Sequence, residues 1–317
     1  MAPGVVCRWS AENVDLGEVI AQAERMRSGE SRTATRAAVV NLVVVTAEPE
    51  TAQRARSAVG GLGAHHPGRI IIVLADPDGP DRIDATIELQ ETDLPERHLW
   101  WEVIDLRVGG GAARHLSSVV EPLLVHDLPV AAWHMGEIPS ASGLVATGAH
   151  VILGGDRPSD PDQSSLEATA ALTRLRHVTD LEWLATEPWR RALALLFDPP
   201  SARRILPRIA GARVAGPPWR ACLLGGWLTD RLGLAPGSVQ LEAVSSETIV
   251  ELAADDVLVR AASAPLGRVE ARIDDERAVT VGGAERGTAA LLAAALGRGG
   301  TDPAFVGALG AAARVER

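Results

Sequence analysis

The apolar positions of this chain change rhythm near its middle. In the first half they come as short, nearly unbroken runs rich in β-branched residues. AAVVNLVVVT (Ala37–Thr46) and RIIIVLAD (Arg69–Asp76) are of this kind, the pattern of strands buried on both faces. Between them Pro49–Val59 carries a helical pattern that ends at Gly60-Gly61. Ile83–Gln90 and Trp100–Val108 add two strands, Ala112–Val125 a helix, and LPVAAWH and HVILGG the last strands of this half. Strand and helix in alternation predict an α/β domain with a mostly parallel sheet over residues 1–156. ATIELQ breaks the alternation and is assigned to an antiparallel edge strand. Residues 1–35, with a helical segment at Leu16–Met26, read as a helical arm on the surface.

RPSDPDQSS (Arg157–Ser165) has the Pro, Ser and Asp content of a linker,. Beyond it, Leu166–His177 and Pro217–Leu232 read as helices, and short alternating segments dominate after Val239. In RVEARI, Val269, Ala271 and Ile273 share one face while Glu270 and Arg272 take the other. Asp255-Asp256 and Asp274-Asp275-Glu276 mark turns between such segments. The prediction for 166–317 is an α+β domain with an antiparallel meander, one face wet, closed by helices around Leu291 and Phe305.

One stretch, TDLEWLATEPWRRALALLFD (Thr179–Asp198), concentrates Trp183, Trp189 and Phe197 in a chain with only eight Trp, two Phe and no Tyr. Thr179 and Glu182 fit a capping box that starts a helix,. Thr186 starts a second, with Pro188 in the first turn, where a missing N–H costs nothing,. Trp189, Ala192, Leu193, Leu196 and Phe197 then form one apolar stripe, with Arg190 and Ala194 on the other side,. Trp219, Cys222, Leu223, Gly226 and Trp227 repeat the template, which makes Cys222 a packed small hydrophobe,.

Composition narrows the chemistry. All 31 basic residues are Arg and there is no Lys. A guanidinium does not release its proton at working pH. Schiff-base enzymes, Walker-A NTPases and protein kinases, which depend on a lysine, are therefore excluded. The net charge of −10, with both signs mixed along the chain, leaves no basic footprint for nucleic acid,. Cys7 and Cys222 are too few for a disulfide framework,. Neither a membrane-length apolar run nor a secretion signal is seen, and the reading is cytoplasmic.

His65, His66 and Arg69 stand at the mouth of a buried strand, and Gly109-Gly110-Gly111 precedes a helix. His66, Arg69 and the glycines Gly109, Gly110 and Gly111 are the candidate anion contacts, although the spacing is not that of a dinucleotide fingerprint. The eight His carry no metal-ligand spacing, so no metal and no cofactor are expected,. No G-x-S-x-G elbow or Cys/His nucleophile pattern is present. The residues alone thus leave a sugar-phosphate or nucleotide-binding protein, or an enzyme built on the glycine loop, standing beside a binding or scaffold protein.

HPGRIIIVLADP, ARHLSSVVEPLLVHDLPVAAWH and TDLEWLATEPWRRALALLFD, in that order, resemble the glucose-6-phosphate dehydrogenase assembly protein family, OpcA, of bacteria. The resemblance spans Arg36–Asp198 and continues into Leu224–Leu228. It implies a non-catalytic partner of glucose-6-phosphate dehydrogenase that promotes the enzyme's active oligomer and activates it allosterically. Where the family carries a Trp pair, this chain has Trp133 followed by His134. The candidate partner contacts are Trp133, His134, Trp183, Arg190 and Arg191.

Overall fold

A computed structural model describes residues 4–29, 39–60, 62, 68–94, 97–136, 138–139, 150–155, 157, 160–235, 237–245, 247–274 and 277–314. The protein is mixed α/β with two mixed sheets. By its internal contacts the chain divides into two compact units, Met1–Pro158 and Ser159–Arg317.

The first unit contains β1 (Gly4–Ala11), α1 (Leu16–Gly29), β2 (Val40–Thr46), α2 (Pro49–Gly60), β3 (Gly68–Asp76), β4 (Ile83–Leu94) and β5 (Arg97–Gly109). Two short helices follow, α3 (Gly110–Ala113) and α4 (Leu116–Val120), then β6 (Val130–His134) and β7 (His150–Leu153). Its strands lie in the order β1-β4-β5-β3-β2-β6-β7. From β5 to β7 every neighbouring pair is parallel, whereas β1, β4 and β5 pair antiparallel.

Two expectations are corrected in this unit. ATIELQ lies in an antiparallel strand, but β4 is interior, because β1 pairs along its outer side. The described part of the expected arm, residues 4–29, therefore holds a strand of the sheet as well as a helix. In β1, Cys7, Trp9 and Ala11 are half-buried while Arg8 and Ser10 face solvent, a period-2 pattern short enough to pass for irregular tail,. Helix α1 is equally integral. Val19, Ala23 and Met26 are buried on Ile71, Val73, Ile87, Ile104 and Leu106, which share one sheet face. On the other face, Arg56 of α2 pairs with Glu88 and with Asp105. The helix expected over Ala112–Val125 is broken at His115 and tightens into a 3-10 turn at Glu121–Leu123, where Pro122 sits,.

The second unit contains α5 (Gln163–Leu175), β8 (His177–Asp180), α6 (Leu181–Ala185), α7 (Glu187–Leu196), α8 (Pro200–Arg203), β9 (Ile209–Gly216), α9 (Pro218–Leu232) and β10 (Val239–Ala243). It ends with β11 (Ile249–Ala254), β12 (Val257–Ala264), β13 (Arg268–Ile273), β14 (Arg277–Gly282), α10 (Thr288–Leu296) and α11 (Pro303–Ala312). Helix α5 takes in residues 163–165, which composition assigns to the linker, because Asp162 caps it through Ser165,.

The sheet order is β10-β9-β11-β12-β13-β14, parallel only between β10 and β9. Val250, Leu252, Val259, Ala261, Val269, Ala271 and Ile273 form its dry face, joined by Trp189, Leu193, Leu196 and Phe197 of the signature stretch. The wet face carries charge pairs in register. Glu251 stands opposite Arg213 on β9 and Arg260 on β12, and bonds the first at 2.9 Å.

Candidate functional site

In the first unit the chain runs outward from β2 to β3 to β5, then returns to place β6 and β7 on the other side of β2. The carboxyl ends of β2 and β6 thus meet at a topological switch point, where open α/β sheets hold their ligands. Trp133 and His134 end β6 here, opposite Val44 and Val45 of β2. Both are buried. Trp133 Nε1 donates to the Gly154 carbonyl at 2.8 Å. Among the described residues the buried His134 Nε2 has no hydrogen-bond partner, and burial holds the imidazole pKa down to about 4. This histidine is neutral at working pH.

The switch point itself is acidic. Strand β2 runs through Ala47 into Glu48, Pro49 and Glu50, and Glu50 occupies the first turn of α2. A dinucleotide fold places glycines here so that pyrophosphate can approach helix N–H groups. Two carboxylates and a proline oppose that use.

The anion candidates are engaged elsewhere. Gly111 N donates to Asp81 Oδ1 at 2.6 Å, so a carboxylate of the chain already lies where a phosphate would dock. Gly110 adopts φ +61, and a Cβ there would press on the Asp81 side chain,. Helix α3 spans only four residues. Arg69 is buried, with Nε 2.7 Å from Glu102 Oε2 and Nη1 donating to the Leu123 carbonyl. Its pKa is lowered by burial, against the opposing effect of Glu102. His66 lies outside the described residues. The described members of the anion set are therefore not brought together as a site: Arg69 serves an internal ion pair, Gly110 and Gly111 lie against Asp81, and Gly109 N donates to the Arg82 carbonyl.

The signature stretch is tied together by side-chain bonds. Asp180, not Thr179, caps α6, its Oδ1 accepting from Trp183 N at 3.0 Å. Trp183 is buried on Phe305, ring centroids 5.7 Å apart, and its Nε1 donates to Asp302 Oδ2 at 2.9 Å. Asp302 in turn caps α11 by accepting from Ala304 N. Arg190 lies over the Trp183 ring and donates to Thr186 Oγ1 at 3.0 Å. Burial lowers its pKa to about 10, opposed by Asp302 and Glu187. Trp189 Nε1 reaches the Thr248 carbonyl at 2.9 Å. Of the five candidate partner contacts, Trp133, His134 and Trp183 are buried, Arg190 is half-buried, and Arg191 is exposed. Asp302, Glu102 and Asp81, which decide these arrangements, lie far away in sequence and carry no local motif.

Among the described residues no cluster of His, Cys, Asp and Glu forms a metal-binding group, and no helix is long and apolar enough to cross a membrane. Residues 61–152 match the family described as the glucose-6-phosphate dehydrogenase subunit N-terminal domain, and residues 176–309 match the corresponding C-terminal domain. The chain belongs to the OpcA family of glucose-6-phosphate dehydrogenase subunits.

The first matched segment of this OpcA chain includes Arg69, the glycine loop, Trp133 and His134; the second includes Trp183, Arg190 and Arg191. Among solved structures, the chain is similar to glucose-6-phosphate 1-dehydrogenase from Mycobacterium avium, at 11% identity and TM-score 0.49, over 89% of this chain and 91% of that one. It is also similar to a putative oxidoreductase from Magnetospirillum magnetotacticum MS-1, at 12% identity and TM-score 0.40, over 90% and 100% of the two chains. At these values neither likeness carries an argument. Comparison with curated proteins gave no match.

Proposed function

We propose that this chain is a non-catalytic, cytoplasmic assembly factor and allosteric activator of glucose-6-phosphate dehydrogenase in the oxidative pentose phosphate pathway. The observation that carries the reading is membership of the OpcA family through matches in both units. Three features support it over a sugar-phosphate or nucleotide site. Carboxylates stand at the switch point. Asp81 occupies the glycine loop. Arg69 is committed to Glu102. Each would have to be undone before an anion could bind.

An activator of this kind works by differential affinity. It must hold the active oligomer of the dehydrogenase more tightly than the inactive form, since equal affinity shifts nothing. A specific contact of this type buries about 1,600 Å² in all. The test is co-purification of the chain with the dehydrogenase of its own host, followed by dehydrogenase activity and oligomer size with and without it. We expect association, a larger or more uniform oligomer, and higher activity. Turnover of glucose 6-phosphate by the chain alone, or no association at any ratio, would overturn the proposal.

A further inference from the structure

Ala264 and Arg268 pair at the end of the β12–β13 hairpin, and Pro265, Leu266 and Gly267 form its turn. Leu266 has φ +64, in the left-handed region. Among the described residues, every other non-glycine in that region is Asn or Asp, whose short polar side chains tolerate it. The left-handed place after a turn proline is one that Gly or Asn fills. Leu266 is also 85% exposed, the largest value for any bulky apolar side chain among the described residues.

An exposed leucine by itself needs no explanation. One that also strains its backbone does, because Asn at this position would relieve the strain and remove the apolar surface together. Nor is the turn slack. The Gly267 carbonyl accepts from Gly283 N and from Ala284 N, both at 2.9 Å, so the segment after β14 braces the tip. A braced apolar knob loses little freedom when another surface closes over it.

We propose that Leu266 is a contact residue for the dehydrogenase and inserts into an apolar pocket on that protein. The isolated chain carries the strain and the exposure, and burial in the complex offsets both. A lipid surface is a poor occupant, since the chain has a net charge of −10 and one leucine is too little apolar area to hold a bilayer. A second copy has the same charge and resists close approach. The proposal rests on the function given above, which supplies the remaining partner.

The experiment measures binding of purified dehydrogenase to the full chain and to three variants, with melting followed in parallel. Leu266→Asn suits the left-handed backbone and deletes the apolar side chain. Leu266→Met keeps apolar bulk, and Leu175→Gln, at an exposed leucine on α5, is the control. We expect Leu266→Asn to melt about 2–4 °C higher than the parent and to bind at least about tenfold more weakly. A side chain with only a structural role would move both readings in the same direction. Leu266→Met and the control should bind within about threefold of the parent. Binding of Leu266→Asn within about twofold of the parent would overturn the contact and leave the assembly function standing. Lower melting of Leu266→Asn would show that the leucine packs on its own chain, and the proposal would fall with its premise. Failure of the parent itself to bind would remove both the contact and the assembly function. Size-exclusion of the parent alone and sedimentation with phosphatidylcholine vesicles complete the test. Self-association or vesicle binding that Leu266→Asn abolishes would assign the leucine to a second copy or to a membrane, against the proposal.

Discussion

The guanidinium carbon of Arg190 lies 3.7 Å from the ring centroid of Trp183, and the same indole donates its N–H to Asp302. The two most conspicuous residue types of the signature stretch thus meet each other. Trp183 joins α6 to the start of α11, and Arg190 covers it from α7 while reaching toward Asp302 at 3.9 Å. Removing the indole leaves a hole against Phe305 and takes the N–H donor from Asp302 Oδ2. Trp183→Ala is expected to lower stability by about 3–5 kcal/mol. Trp183→Phe, which keeps most of the volume and loses the N–H, should cost about 1–3 kcal/mol. Urea unfolding of the two variants checks this order. Equal losses would mean that the bond to Asp302, absent from both variants, carries the whole effect and the packing of the ring against Phe305 carries none.

Arg190 and Arg191 are adjacent in sequence and separate in role. Arg190→Ala forfeits the contact with the Trp183 ring and the bond to Thr186, an expected loss of about 1–2 kcal/mol. Arg191 is exposed on α7, so Arg191→Glu should leave stability within about 0.5 kcal/mol of the parent,. Thermal unfolding of the two single variants separates them, and a large loss from Arg191→Glu would contradict its placement.

Arg69 and Glu102 face each other inside the first unit, their side chains 3% and 7% exposed. Breaking such a pair from one side leaves a charge without compensation in a dry setting. Arg69→Ala or Glu102→Ala should each cost about 3–5 kcal/mol, whereas Arg69→Met with Glu102→Leu should recover most of that loss. A double variant as unstable as the worse single one would show that the carbonyl of Leu123, which Arg69 also holds, is the more important partner.

Periodicity reached far into this fold where a segment buries a whole face. The runs at Val40–Thr46 and Gly68–Asp76, and the stripe from Trp189 to Phe197, stand where their patterns place them. It failed where the local signal is thin. IAGARVAG (Ile209–Gly216) has two glycines and three alanines and no extended apolar run, yet β9 lies between β10 and β11, held by neighbours on both sides,. The candidate residues show the same division. That Trp189 is core follows from its stripe, because spacing reports burial. That Arg69 serves Glu102, or that Asp81 fills the glycine loop, follows only from pairings of β3 with β5 and of the turn before β4 with α3, which no window of sequence contains.

Gly226 marks where α9 meets α11. A Cβ at this position would press on the Ala308 carbonyl and come within 2.8 Å of Ala312 Cβ. Backbone cannot retreat from such a contact as a flexible side chain can, so even Ala must push the helices apart. Gly226→Ala is expected to destabilise by about 1–3 kcal/mol despite the better helix propensity of Ala. Gly233, at the left-handed C-cap of the same helix, has open space around it and φ +64. Gly233→Ala should cost about 1 kcal/mol, through backbone strain alone. Calorimetry on both variants tests the ranking, and a neutral Gly226→Ala would refute the close approach.

His134 makes the stability of the first unit depend on pH. Burial alone holds its pKa down to about 4, from an ordinary value of 6.5. The unfolded chain takes up a proton below about pH 6.5 that the folded chain refuses until about pH 4, so the unfolded form gains as the solution is acidified. Stability is therefore unaffected by this group above about pH 6.5. It falls by up to about 1.4 kcal/mol per pH unit between the two values, and levels off below about pH 4, for a total of about 3 kcal/mol. His134→Gln removes the titration while keeping a polar side chain of similar reach. Urea unfolding at steps from pH 7 to about pH 4 should show a flatter profile for the variant than for the parent. His177, whose pKa burial also lowers, contributes equally to both proteins and cancels in the difference. Parallel profiles would mean that His134 can take up its proton in the folded state.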